Sequence, residues 1–153
     1  MDLILWRHAE AHVIKDGQSD LDRELTTKGQ RQAKRMAEWL NQRLAHSTRI
    51  LVSPAVRTQQ TAKALDRKYK TVPALAPDAS PVALLSAVRW PDASDPVLVV
   101  GHQPALGQVA ALLLGEVHQN WVMKKGGVWW LRRRVRNGEP QTFVQAVQSP
   151  ELV

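Results

Sequence analysis

Two arginines and two histidines stand at matching places along this chain. Arg7 and His8 close the apolar run Leu3 to Trp6 in "MDLILWRHAEAH". Ser53 closes the run that begins at Arg49, and Arg57 follows it in "LVSPAVRTQQTA". His102 and Gln103 follow the run in "PVLVVGHQP". A short, continuous apolar run reads as a strand covered on both faces. In an open α/β sheet, ligands bind at the carboxyl ends of such strands. Arginine presents a planar fork of donors that fits phosphate oxygens. A histidine of near-neutral pKa has an unprotonated ring nitrogen that can attack phosphorus. Helix starts after Ser53 and Gln103 would add free N–H groups and the favourable end of a helix dipole. Phosphoryl transfer asks mainly for in-line placement and for neutralisation of charge on the equatorial oxygens. These residue types can supply both. Neither a Walker-type glycine loop nor a carboxylate pair accompanies them, so a magnesium-dependent transfer is not suggested.

The elements that must position these side chains alternate between strand and helix. A helix is expected over 27–44, "TKGQRQAKRMAEWLNQRL", with Thr27 and Gln30 at capping-box spacing and Ala33, Met36, Ala37, Leu40 and Leu44 on one apolar stripe. A second starts at Ser53 as N-cap with Pro54 in the first helical position, which places Arg57 in its first turn. A third covers 82–88. A fourth follows Pro104 and stops at Gly115. Asn137-Gly138 then separates two strand-like runs, and Asn-Gly favours a type I′ hairpin turn. Antiparallel strands are expected near 127–136 and 140–148, added to an otherwise parallel sheet.

With 153 residues the chain is expected to form one domain, 1–153. It has no cysteine, which excludes disulfides, thiol catalysis and thiolate metal sites. Neither a membrane-length apolar stretch nor a secretory signal is visible, so a cytoplasmic protein is expected. The net charge of +7 admits nucleic acid, an acidic membrane, phosphate ligands or an acidic protein partner, or a charge that serves solubility alone. On a strand, Trp130, Arg132, Arg134 and Arg136 would share one face. That run is expected to protect a sheet edge rather than to bind nucleic acid. Trp6, Trp39 and Trp129 are expected in the core, and His46 and His118 on the surface. His8 and His12 have the i, i+4 spacing of some zinc sites, but His8 ends a strand and Ala9 follows it, so no metal is expected.

"LWRHAEA", "RELTTKG", "LVSPAVRTQQTA" and "VLVVGHQPALG", taken in order, resemble the histidine phosphatase superfamily. They are most similar to its small branch, the phosphohistidine phosphatases of the SixA type. The resemblance covers nearly the whole chain, and the terminal "VQSP" shares it. It implies a phosphoglycerate mutase-like α/β/α sandwich of three layers, without the long inserts of the mutases. His8 would take the phosphoryl group, and Arg7, Arg57 and His102 would hold its oxygens. Water would then hydrolyse phospho-His8 without metal or cofactor. Gln103 and Arg23 would help to bind substrate, Arg23 at the pocket mouth.

Two departures bear on this expectation. Ala9 stands where the superfamily usually has glycine, which matters if that backbone needs positive φ. The glutamate proton donor of the larger phosphatases has no clear counterpart; Asp78 and Glu10 are the candidates. A phosphoramidate P–N bond leaves more easily than an alkoxide, so a weak or missing acid favours phosphohistidine over an ester. The expected substrate is a phosphohistidine-bearing signalling or phosphocarrier protein, and the enzyme is expected to be a monomer. A phosphatase of small phosphomonoesters with the same site is the alternative. A non-catalytic phosphate- or nucleic-acid-binding module stands further off.

Overall fold

The computed structural model describes residues 1–153. In chain order its main elements are β1 (Asp2–Arg7), α1 (Thr27–Asn41), β2 (Arg49–Val52), α2 (Val56–Lys63), β3 (Lys70–Thr71), α3 (Pro81–Ala87), β4 (Val97–Gly101), α4 (Ala105–Gly115), β5 (Val128–Arg136) and β6 (Glu139–Gln148). The six strands form one sheet in the order β3-β2-β4-β1-β5-β6. The first four strands are mutually parallel. β5 runs antiparallel to β1, and β6 antiparallel to β5.

Alternation along the strands makes this a three-layer sandwich. Leu3, Leu5, Leu51, Val97, Val99 and Leu131 pack with Leu84, Leu106, Val109 and Met123 on one face. Ile4, Trp6, Ile50, Val52, Leu98, Val100 and Trp130 pack with Met36, Leu40 and Leu65 on the other. β1 and β4 are apolar at successive positions because both faces are covered by helices. The Asn137-Gly138 turn closes the β5–β6 hairpin with both residues at positive φ (52° and 77°), as a type I′ turn requires.

Several boundaries differ from the expected ones. The cap of α1 is Thr26, not Thr27; its Oγ1 accepts from Gly29 N–H at 3.0 Å. Ser53 does not cap α2. Ala55 does, without a side-chain bond, and the helix begins at Val56. Gly115 is the last residue of α4, and the left-handed residue beyond it is Glu116 (φ 54°). The two-residue strand β3 carries too little pattern to be seen in sequence.

β5 is not an edge. β6 covers it, so the arginine run needs another account than edge protection. Arg132 Nε and Nη2 donate to the two Asp2 carboxylate oxygens (2.8 and 2.9 Å), and Trp130 Nε1 donates to Asp2 as well (3.0 Å). Arg134 stacks over Phe143 with its Cζ 5.0 Å from the ring centre. Trp130 is a buried core residue, whereas Trp39 and Trp129 are only partly buried. A bulge between Trp130 and Leu131, where β6 supplies an extra residue, lets both side chains be buried. His46 and His118 are exposed.

Candidate active site

β1, β2 and β4 end side by side, and each delivers one part of the site. The chain leaves them in register: His8 N–H donates to Gly101 O and Ser53 N–H to Val100 O, each at 3.1 Å. The loop before β5 closes the other side of β1. Arg7 N–H donates to Gly127 O (3.0 Å), Gly126 N–H to His8 O (2.9 Å), and the indole of Trp6 to Gly126 O (3.0 Å). His8 and His102 thereby come together, with ring centroids 5.3 Å apart.

His8 Nδ1 lies 2.7 Å from Ala9 O. A carbonyl can only accept, so Nδ1 carries the proton and Nε2 keeps its lone pair. Burial, followed by the charges of Arg57, Arg7 and Arg23, pushes His8 down to about 4 against the opposing bond to Ala9 O. Burial, followed by His8, Arg57 and Arg23, pushes His102 down to about 3, with Asp20 opposing. Both imidazoles are therefore neutral at pH 7. Ala9 has no positive φ and is fully buried, so the methyl group causes no strain there. It packs against Leu25 and Ala33.

Both arginines are fixed by backbone carbonyls. Arg7 Nη1 donates to Met123 O at 2.6 Å. Arg57, only 3 % exposed, donates from Nη1 to Asp20 O (2.8 Å) and from Nη2 to Asp20 Oδ2 (3.0 Å). Desolvation lowers the pKa of each guanidinium. Six buried side-chain polar atoms in the molecule have no partner, and three of them gather here: Arg7 Nε, Arg57 Nε and His102 Nδ1. A buried donor without a partner costs about 1–3 kcal/mol. Such a concentration at one rim is a stored demand for an acceptor, which a tetrahedral oxyanion would meet.

Ser53 lies within this group. It is fully buried, and its Oγ sits 2.7 Å from His102 Nε2 and accepts from Ala55 N–H at 3.3 Å. Asp20 was not legible as a site residue. It accepts from Arg57 and from Arg23 Nε (2.9 Å), and both bonds hold its carboxyl below the ordinary range against the opposing effect of burial. The only sequence signal for it is Ser19, which caps the short 3-10 turn Asp20–Asp22 and so fixes where Asp20 points its backbone. Arg23 stands at the rim. Its charge reaches both imidazoles, while Nη1 is tied to His12 O (2.9 Å).

The remaining candidates are engaged elsewhere. Both ends of the Gln103 amide are engaged within the protein, donating to Trp121 O (2.7 Å) and accepting from Gly107 N–H (2.8 Å). Gly107 must be glycine because a Cβ there would collide with the Trp121 carbonyl. Glu10 accepts from the Thr26 hydroxyl at 2.7 Å, and Asp78 lies exposed in the loop before α3. Neither carboxylate contributes to the field at the histidines. His12 is exposed, away from the buried His8. No group of three His, Asp or Glu side chains with metal-holding geometry occurs in the chain.

A three-layer sandwich with two histidines, the buried Arg57 and the half-buried Arg7 at its carboxyl rim is an α/β protein of the phosphoglycerate mutase-like type. The family model described as "Histidine phosphatase superfamily (branch 1)" matches residues 3–78. The chain is 33% identical over 122 residues to phosphohistidine phosphatase SixA of Escherichia coli K12, covering 74% of each chain. It is 33% identical over 131 residues to the SixA homolog of Haemophilus influenzae, covering 76% of this chain and 79% of the relative. A solved protein histidine phosphatase SixA complexed with tungstate superposes with a TM-score of 0.74 at 25% identity, covering 99% of each chain. The chain belongs to the histidine phosphatase superfamily, in its SixA-like branch. No helix is long and apolar enough to cross a membrane.

Proposed function

We propose that the protein is a metal-independent phosphohistidine phosphatase that acts through phospho-His8 on a phosphorylated protein. The observation that carries this reading is the pairing of an accessible histidine lone pair with the absence of a protonated carboxyl at the site. His8 Nε2 is unprotonated at neutral pH. It attacks phosphorus in line, and the P–N bond of the substrate breaks. The electron pair goes to the departing imidazole, which takes its proton from solvent. Arg7, Arg57 and His102 donate to the equatorial oxygens as charge builds there. Water then attacks phospho-His8, the second P–N bond breaks, and inorganic phosphate leaves with His8 restored. The guanidinium groups supply the positive charge that a metal would otherwise bring.

The one carboxylate that acts on an imidazole of the site is Asp20, which bears on His102, and its two arginine partners keep it ionised at neutral pH. An ester would need a proton delivered to its leaving oxygen. A phosphoramidate leaves without that help. The relatives named SixA support the same substrate class.

A paired turnover assay tests the reading. A histidine-phosphorylated protein and a small aryl phosphate are each offered to wild type and to His8→Ala, with and without EDTA. Fast release from phosphohistidine, a poor ester rate, loss of both with His8→Ala and indifference to EDTA are expected. A preference for the ester would move the protein to small-molecule phosphatases. Activity surviving in His8→Ala would sink the role of His8.

A further inference from the structure

An open cleft of about 650 Å³ lies beside the histidine site rather than in it. Lys28, Arg31 and Arg35 of α1 form one wall, and Lys124 and Lys125 stand on the other. All five are exposed. Only Lys124 has an ion-pair partner, Glu151 at 2.5 Å; the other four make neither an ion pair nor a side-chain hydrogen bond. We propose that this cleft docks an acidic surface of the phosphorylated partner protein and so presents its phosphohistidine to His8. The inference rests on the phosphatase reading for its substrate, while the cleft itself stands on geometry and charge.

Three observations carry it. The cleft is joined to the nucleophile through backbone. Glu10, which lines it, follows His8 by two residues, which places this part of the lining within about 7 Å of His8 along the chain. Glu10 N–H is held by Gln32 Oε1 of α1 (2.9 Å), and Gly126, next to Lys125, donates to His8 O (2.9 Å). Gly29 brings α1 flush against the Glu10 carbonyl, where a Cβ would collide. Both walls are therefore fixed relative to His8.

The charges also run against helix stability. The first turn of α1 has no acidic residue, although an N-terminus favours anions and is penalised by cations. Lys28 stands in that turn. A residue selected for folding alone would carry the opposite sign.

Finally, the cleft is mixed rather than uniformly basic. Glu10 and Glu151 lie among the five cations. A nucleic-acid backbone would meet both carboxylates with like charge. A protein face with acidic residues and an occasional base can match both signs.

The test uses three phosphorylated probes: free phosphohistidine and two synthetic peptides of equal length bearing one phosphohistidine. One peptide is flanked by Asp and Glu, the other by Ser and Asn. Wild type should prefer the acidic peptide in kcat/KM by about ten-fold at low salt, less at high salt. Arg31→Glu/Arg35→Glu should erase that preference while leaving turnover of free phosphohistidine unchanged. No preference in wild type, or a preference retained by the variant, would overturn the proposal. Lys28→Glu separates docking from folding, since it should weaken use of the acidic peptide yet raise Tm by about 1–3 °C. If wild type hydrolyses none of the three probes, the phosphatase reading fails. Fluorescence anisotropy of the unphosphorylated acidic peptide then tests the cleft alone. Binding lost in Arg31→Glu/Arg35→Glu would sustain it. Equal binding by both forms, or tighter variant-sensitive binding of a single-stranded oligonucleotide of matched charge, would overturn it.

Discussion

The Ser53 hydroxyl touches His102 Nε2 and so bears on which nitrogen of that ring carries the proton. Its oxygen accepts from Ala55 N–H, which leaves the O–H free to donate to His102 Nε2 at 2.7 Å. When the hydroxyl donates there, neutral His102 holds its proton on Nδ1, the buried atom without a protein partner. In the proposed reaction that tautomer would donate to a phosphoryl oxygen; the other would face it with a lone pair. Ser53→Ala removes the constraint, and a drop in kcat of about ten-fold is expected at pH 7.5, in line with partial loss of one oxyanion donor. Nitrogen-15 shifts of the His102 ring at pH 7.5 should show the proton on Nδ1 in wild type and a mixture of both tautomers in Ser53→Ala. The same tautomer mixture in both forms would assign Ser53 to packing alone. Sequence showed Ser53 only as a helix cap. It could not show the hydroxyl turned to a histidine 49 residues away, because that pairing exists only once β2 and β4 lie side by side.

At the scale of elements, the strands that build the site were legible because their apolar runs stop abruptly at polar residues. The hairpin was legible because Asn-Gly has one preferred turn. Helix starts were less so. Thr26 and Thr27 are the same residue type, and the choice falls to Thr26 because its hydroxyl is also held by Glu10. The 3-10 turn Asp20–Asp22 has no periodicity to reveal it, yet it supplies the carboxylate that fixes Arg57 and Arg23. Asp20 has a cost as well as a use. Its charge would compete with a phosphate dianion bound at the proposed site for the same guanidinium. Asp20→Asn keeps the backbone carbonyl that Arg57 Nη1 uses and removes only the charge. Phosphate should then bind about three-fold or more tighter by calorimetry, a change of roughly 0.7 kcal/mol or more, as expected for one charge removed near the surface. Weaker binding would mean that holding the guanidinium in place outweighs the competition.

For the whole molecule, the two buried imidazoles make folding depend on pH in a defined window. Their native values lie at about 4 and about 3, whereas an unfolded chain titrates near 6.5. Below about 6.5 the unfolded state takes up protons that the native state refuses, so stability falls as pH drops and continues to fall until the native imidazoles titrate. Above that range these two groups contribute no slope. The limiting slope is about 1.4 kcal/mol per pH unit for each histidine. Asp2 and Asp20, whose native values are lowered, act in a separate window. Their contribution is present above the ordinary carboxylate value near 3.8 and is lost only as pH falls through still lower values. Urea unfolding at pH 7.5, 6.0 and 5.0 should therefore show falling midpoints in wild type. His8→Gln/His102→Gln, which cannot take up protons at either position, should flatten that dependence. Saturating phosphate should also reduce it, because a bound oxyanion raises the native pKa of both rings and binds only the folded form. A slope that survives in the double variant would transfer the acid sensitivity to other groups and remove the support for neutral histidines at the strand tips.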